Sequence, residues 1–304
     1  MLLALLSCTT RAAAGEIIGE IIDDHEHLAF GAAQTAALVR EMDATGIATI
    51  FLLDTPSVTF GDSDQFDSYD ETVERQLAMK RRYPNRFRVF YTYPPYDADG
   101  PRKAARMADR GIDGLKFYSG VLWEQLGAID SRAMYAAYRV ARDRKLPVII
   151  HVEALSAIQR GEFERALDDF SDVTFICPHL CGVEVRLDVL VGLLRRHSNL
   201  FTDAGPWHRV GAFASAHPEA FRDFYVAHSD RIMFSTDTVA EDGDDAHFVD
   251  VVRCERGLLE TKFFSCFRSD DTMHGLYLPR ATLDDIYYKT ARRVFPFLAN
   301  PAAR

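Results

Sequence analysis

The sequence predicts an α/β chain closed into a (β/α)8 TIM barrel, and two observations carry that expectation. Short runs of β-branched and aromatic residues recur along the chain, each followed by a longer stretch with apolar residues at helical spacing. Near-continuous apolar strands alternating with amphipathic helices describe a parallel sheet covered by helices, and eight such units are what a closed barrel needs.

The expected strands are 16–25 (EIIGEIIDDH), 47–53 (IATIFLL), 87–93 (FRVFYTY), 114–118 (GLKFY), 147–153 (PVIIHVE), 173–179 (VTFICPH), 199–205 (NLFTDAG) and 231–237 (RIMFSTD). Between them, stretches such as 131–145 and 184–197 place charges opposite an apolar stripe. Gly46 and Gly111 punctuate helix ends, and Pro147 opens the strand after a third helix. No linker or low-complexity stretch divides residues 1–304, so one barrel domain is expected, with residues 281–298 as a C-terminal helix packed beneath it. Residues 1–15 contain LLSC, which resembles a lipoprotein cleavage site, but no Lys or Arg precedes the apolar run. They are read as an N-terminal cap, with an export segment as the alternative.

Composition excludes several classes. The 304 residues carry 45 Asp and Glu against 35 Lys and Arg, a net charge of −10, which argues against a nucleic-acid surface. No stretch reaches the length of about 20 apolar residues that spans a bilayer. Five cysteines, Cys8, Cys177, Cys181, Cys254 and Cys266, form no CxxC pair and suggest reduced thiols in a cytoplasmic protein. The apolar FFSCF at 263–267 makes a homodimer an expectation.

The polar residues fall where a barrel holds its chemistry, at the C-terminal ends of the strands. Asp24, His25 and His27 end the first strand, Lys116 sits in the fourth, and His151 and Glu153 end the fifth; His179, Asp203 and Asp237 follow in the sixth, seventh and eighth. Singly each has a bland reading: Asp237 in STDT can cap a helix, and Lys116 can snorkel. Together they are hard to assign to chance, because four of the ten histidines end three of the strands. Imidazole and carboxylate are the usual ligands of a catalytic divalent ion such as zinc. Residues i and i+2 of a strand face the same side, so His25 and His27 can both face the axis while Glu26 points away into the helical shell.

The order of HxH, His, His and Asp on strands one, five, six and eight resembles the amidohydrolase superfamily. DDHEHL, LPVIIHVE and FICPHLCG resemble its first, fifth and sixth strands. DFYVAHSDRIMFSTDT and IYYKTARRVF are similar to the eighth-strand segment and C-terminal helix of the amidohydrolase 2 branch, which includes aminocarboxymuconate-semialdehyde decarboxylase. The resemblance spans about Ile22 to Phe297 and implies a metal-dependent hydrolase type of barrel. It implies that His25, His27, His151 and Asp237 bind one divalent metal, most often zinc, with His179 orienting the substrate or the attacking water. Lys116 stands where other branches carry a carboxylated lysine bridging two metals, in which case His151 and His179 would serve the second ion.

The activity expected first is hydrolysis of an amide, ester or lactone in a small molecule by metal-activated water, with Asp237 as proton acceptor and then donor and His179 as oxyanion partner. Non-oxidative decarboxylation of an aromatic or unsaturated acid is the alternative, with Arg209 as the best-placed carboxylate clamp. A non-catalytic metal-binding barrel is the third reading. Trp207 and Tyr118, with Trp123 and His208, are expected to line the substrate pocket.

Overall fold

The computed structural model of the protein describes residues 20–54, 69–93, 97–118, 127–239, 245–266 and 271–299. The proposed cap at 1–15, Cys8, Trp123 and most of the loops at 55–70 and 240–248 lie outside the described residues.

All eight expected strands are present: β1 (Ile21–His27), β2 (Ile47–Leu52), β3 (Phe87–Thr92), β4 (Gly114–Phe117), β5 (Val148–Ile150), β6 (Phe175–Cys177), β7 (Leu200–Asp203) and β8 (Ile232–Met233). Each pairs in parallel with the next in sequence order. The barrel closes where Asp23 bridges Phe234 and where a short β9 (Thr238–Val239) pairs with Glu26 and His27. Most strands are shorter than expected. Their last residues leave the ladder to enter the loops, so His151, His179 and Asp237 lie just past the paired segments.

The interior is built in two layers. Ile22, Phe51, Phe90, Ile149, Ile176 and Met233 form one buried cluster with Phe295 and Leu298 of the C-terminal segment, which plugs the lower end of the barrel. Two residues further along their strands stand Asp24, His151 and Ser235, as the period of a strand requires, and Lys116 and Asp203 lie beside them. Apolar burial therefore fills the floor, and the polar groups rest on it. Gly114 makes room for one floor residue, since a Cβ there would collide with the Phe90 ring. In β1 the pairing shifts register between Asp23 and Glu26. Such an irregularity re-aims side chains, and here it brings His25 and His27 to the axis above Ile22.

The C-terminal helix expected at 281–298 is broken into pieces. It runs through Arg280–Asp284, widens to a π turn at Asp285–Lys289, continues as Thr290–Val294 and stops at Phe295. Phe295 precedes Pro296, which disfavours helical backbone, and its extended conformation turns the ring into the barrel floor.

One further expectation is corrected. The cysteines suggest reduced thiols, but Cys177 is paired with Cys181 and Cys254 with Cys266 as disulfides, with Cα separations of 5.0 and 5.3 Å. The first pair closes because His179, Leu180, Cys181 and Gly182 all have positive φ and turn the chain back on itself. Support from thiols for a cytoplasmic location goes with that expectation. Glu26 is wholly buried, beside Asp23 and the Thr238 backbone, and burial together with the Asp23 charge pushes its carboxyl well above the usual range. Of the FFSCF segment, Phe263 is exposed while Phe264 and Cys266 are buried. Among the described residues no helix is long and apolar enough to cross a membrane.

Candidate metal centre

Three side chains converge above the floor. His25 Nε2 and His27 Nε2 are 3.1 Å apart, and Asp237 Oδ1 lies 3.1 Å from His27 Nε2 and 3.4 Å from His25 Nε2. Ligand bonds to zinc of about 2.0–2.2 Å place neighbouring donors roughly 3.0–3.5 Å apart, so this triangle is the right size for one face of a coordination shell. The donors are imidazole and carboxylate, and their spacing fits a divalent ion.

The surrounding groups orient these donors. Asp203 Oδ2 is 3.4 Å from His25 Nδ1, and the Tyr118 hydroxyl is 3.3 Å from His27 Nδ1 while donating to Asp54 O at 2.9 Å. Both contacts favour the tautomer with hydrogen on Nδ1, which leaves both Nε2 lone pairs facing the centre. Tyr118, expected in the pocket wall, thus acts on a candidate ligand. Burial lowers the affinity of His25 and His27 for protons, well below the usual value for His25, which keeps them neutral as donors. Burial works to raise Asp237, but His179, His25 and His27 around it outweigh that and hold its carboxyl well below the usual range. Asp237 has φ of 52°, a left-handed conformation that a non-glycine residue adopts at a cost, and its N–H donates to His25 O at 2.9 Å. That hydrogen bond is one of the contacts that close the barrel, and it also helps to aim the acid.

His179 Nε2 lies 3.6 Å from Asp237 Oδ2, and its ring stacks on that of His25 with centroids 4.9 Å apart. His25, His179 and Asp203 form a second group of donor atoms close enough to share an ion. His151 is placed differently from the implied ligand set. Its ring is 5.0 Å from that of His179, but its Nε2 faces Glu153 Oε1 at 3.0 Å and not the three convergent donors. Lys116 is fully buried, with Nζ 3.1 Å from His25 Nε2, and burial brings its amine down to about 8 despite the nearby Asp237, Asp203 and Asp24. Arg209 Nη2 stands 3.8 Å from Glu153 Oε1 at the rim. Trp207 is partly buried, and its backbone N–H donates to the buried Glu255 at 2.6 Å.

Two residues carry more than the sequence suggests. Asp203 has a place in the seventh strand but no assigned role in the sequence, yet it is buried, accepts the N–H groups of His179 at 2.6 Å and Gly205 at 2.9 Å, and faces His25. Its position two residues beyond Phe201, an apolar strand residue, was the available signal. Burial raises its carboxyl to about 7. Glu153 likewise ends the fifth strand without an assigned role, and its Oε1 meets His151 Nε2 at 3.0 Å. Asp24 is buried with no hydrogen-bond partner for its carboxyl among the described residues; burial, Asp203 and Asp23 push it well above the usual range.

An eight-stranded parallel barrel with imidazole and carboxylate donors gathered at the C-terminal mouth defines a class of barrel enzymes built around divalent metals. Within that class the chain belongs to the amidohydrolase family of enzymes, whose Amidohydro_2 model, described as Amidohydrolase, matches residues 41–297. The matched span begins after His25 and His27, so that pair rests on the geometry.

Several solved structures share the fold. A 5-carboxyvanillate decarboxylase from Novosphingobium aromaticivorans, complexed with manganese and 4-hydroxy-3-methoxy-5-nitrobenzoic acid, is 16% identical, covers 93% of this chain and 97% of its own, and superposes with a TM-score of 0.58. A probable 2-pyrone-4,6-dicarboxylic acid hydrolase from Acinetobacter baumannii is 11% identical over 91% of this chain and 99% of its own, with a TM-score of 0.62. A 4-oxalomesaconate hydratase from Rhodopseudomonas palustris is 16% identical over 92% and 96%, with a TM-score of 0.58. No curated relative matches the sequence.

Proposed function

We propose that the protein is a metal-dependent decarboxylase acting on a small carboxylic acid. The observation that carries this reading is a convergent His25, His27 and Asp237 group with a guanidinium, Arg209, at the rim of the same mouth. A cation there suits a substrate carboxylate, and Arg is the side chain best shaped to hold one. Several of the similar folds are decarboxylases, one of them with manganese, which supports a divalent ion without choosing between manganese and zinc.

When bound, the ion supplies polarisation of a substrate oxygen and tolerance of developing negative charge. Arg209 binds and orients the acid. Asp237 is an anion, so it first takes a proton from an acidic group of the substrate or from water. It then delivers that proton to the carbon whose bond to the carboxyl group breaks as carbon dioxide leaves. His179, beside Asp237, holds the substrate oxygen through a hydrogen bond.

Hydrolysis, the activity expected first from the sequence, is the second reading. Its support is the same anionic Asp237, placed to accept a proton from water, and the similar fold of the probable dicarboxylic acid hydrolase. A panel of aromatic and unsaturated acids, lactones and esters, assayed with metal content measured, separates the two. Carbon dioxide release that stops on chelation and returns with manganese or zinc is the expected result. Ring or ester opening without carbon dioxide would select hydrolysis, and neither reaction in a sample with one ion per chain would sink both readings.

A further inference from the structure

The rim of the mouth contains one fixed negative charge beside one loosely held positive charge. Glu153 follows β5 and is held on several sides. Its N–H donates to Gln159 Oε1 at 3.0 Å, and the next residue, Ala154, donates its N–H to Cys181 O at 2.9 Å. Its Oε1 meets His151 Nε2 at 3.0 Å. Gly182, at φ of 65°, passes so close that a Cβ there would collide with the Glu153 carboxylate. With 38% of its side chain exposed to water, the carboxylate keeps its ordinary negative charge, and the same Oε1 faces Arg209.

Arg209 lies in the first turn of the helix Trp207–Ala216, across the mouth. Its Nη2 is 3.8 Å from the same Oε1, too far for a hydrogen bond, and among the described residues its guanidinium makes no closer ion pair. The arginine is therefore charge-compensated but not saturated with hydrogen bonds. An incoming carboxylate can gain the close, two-pronged contact that Glu153 does not make. A second carboxylate on the same ligand would meet the fixed charge of Glu153 only a few ångströms from the first.

From this geometry we propose that Glu153 is a specificity-determining residue that limits the ligand to a single carboxylate at the Arg209 rim. The inference rests on the reading of Arg209 as the substrate's carboxylate clamp and adds to it a charge filter. Like charges at a partly exposed site are worth roughly a fivefold difference in affinity, small for catalysis but enough to sort monoacids from diacids.

Equilibrium binding of benzoate and phthalate to the metal-loaded full chain tests it, with metal content measured for each sample. The readout is the ratio of the two affinities on one sample, which partial loss of folded or loaded protein does not change. Wild type is expected to prefer benzoate, Glu153→Gln to shift the ratio about fivefold toward phthalate, and Glu153→Asp, which keeps the charge, to stay near wild type. An unchanged ratio in Glu153→Gln, or a wild type without preference, overturns the charge filter while leaving the decarboxylase reading standing. Metal-loaded wild type that binds neither probe removes the clamp itself, and with it both.

Discussion

Asp203 stands behind His25: its Oδ2 lies 3.4 Å from His25 Nδ1, while its Oδ1 accepts the backbone N–H of His179 at 2.6 Å. One buried carboxylate on β7 thus sets the ring of a candidate ligand from β1 and the turn that carries the histidine after β6. A carboxylate behind a ligating imidazole fixes its tautomer and raises its basicity, and removing such a partner typically weakens metal binding by about 10–100-fold. Asp203→Asn is expected to lower the affinity for zinc or manganese by that order, measured by competition with a chelating dye. Far-ultraviolet circular dichroism should remain that of wild type, because the amide oxygen still accepts both backbone N–H groups.

The same substitution should have the opposite effect on the metal-free chain. Burial raises the Asp203 carboxyl from 3.8 to about 7. A raised folded value means that the folded state binds the proton more tightly than the unfolded state does. Its favourable contribution is complete below pH 3.8 and is lost as the pH rises through about 7. Asparagine does not ionise and escapes this loss. Metal-free Asp203→Asn should gain stability over wild type progressively between pH 4 and pH 8, by on the order of a few kcal/mol at the upper end. Urea melts at three pH values measure this, and a constant difference across the range would contradict it.

Much of the architecture was legible because it follows from strand and helix periodicity. All eight strands follow from that periodicity, with His25, His27, Lys116 and Asp203 in their C-terminal halves and Asp237 just beyond. What was not legible depended on how loops fold back. His151 faces Glu153, two residues later, and Glu153 packs against Gly182 in a different loop, a contact that no local spacing indicates. The Cys177 to Cys181 pairing arises from consecutive left-handed residues, three of them not glycine, which no local propensity indicates. The broken C-terminal helix is partly visible in Pro296, but nothing local marks the π turn, whose Tyr288 packs against the barrel floor.

Gly182 is expected to be intolerant of even a methyl group. At φ of 65° an alanine is strained, and its Cβ would collide with the carboxylate of Glu153. Gly182→Ala should therefore lower stability by more than about 1 kcal/mol. It should also free His151 from its fixed partner. Thermal melting of the metal-free protein measures the first effect, and a changed pH titration of the His151 ring by nuclear magnetic resonance measures the second. A melting temperature equal to wild type would contradict the close packing of these two loops.

Asp237 combines two roles that a single substitution separates. As one of three convergent donors it contributes to holding the ion, yet its Oδ1 and Oδ2 face different partners, His27 at 3.1 Å and His179 at 3.6 Å. An amide retains one oxygen able to face the ion but cannot accept and return a proton. Asp237→Asn should thus keep a weakened metal site while lowering kcat by about 100- to 10,000-fold, the span usual for loss of a positioned acid or base. Metal content and turnover measured on the same preparation decide the matter. Complete loss of the ion would assign Asp237 chiefly to binding, and full turnover with the ion retained would remove it from proton transfer. Because Asp237 holds a left-handed backbone, which asparagine tolerates better than alanine, Asp237→Asn is preferable to Asp237→Ala, which would also remove the side chain that sits among three imidazoles.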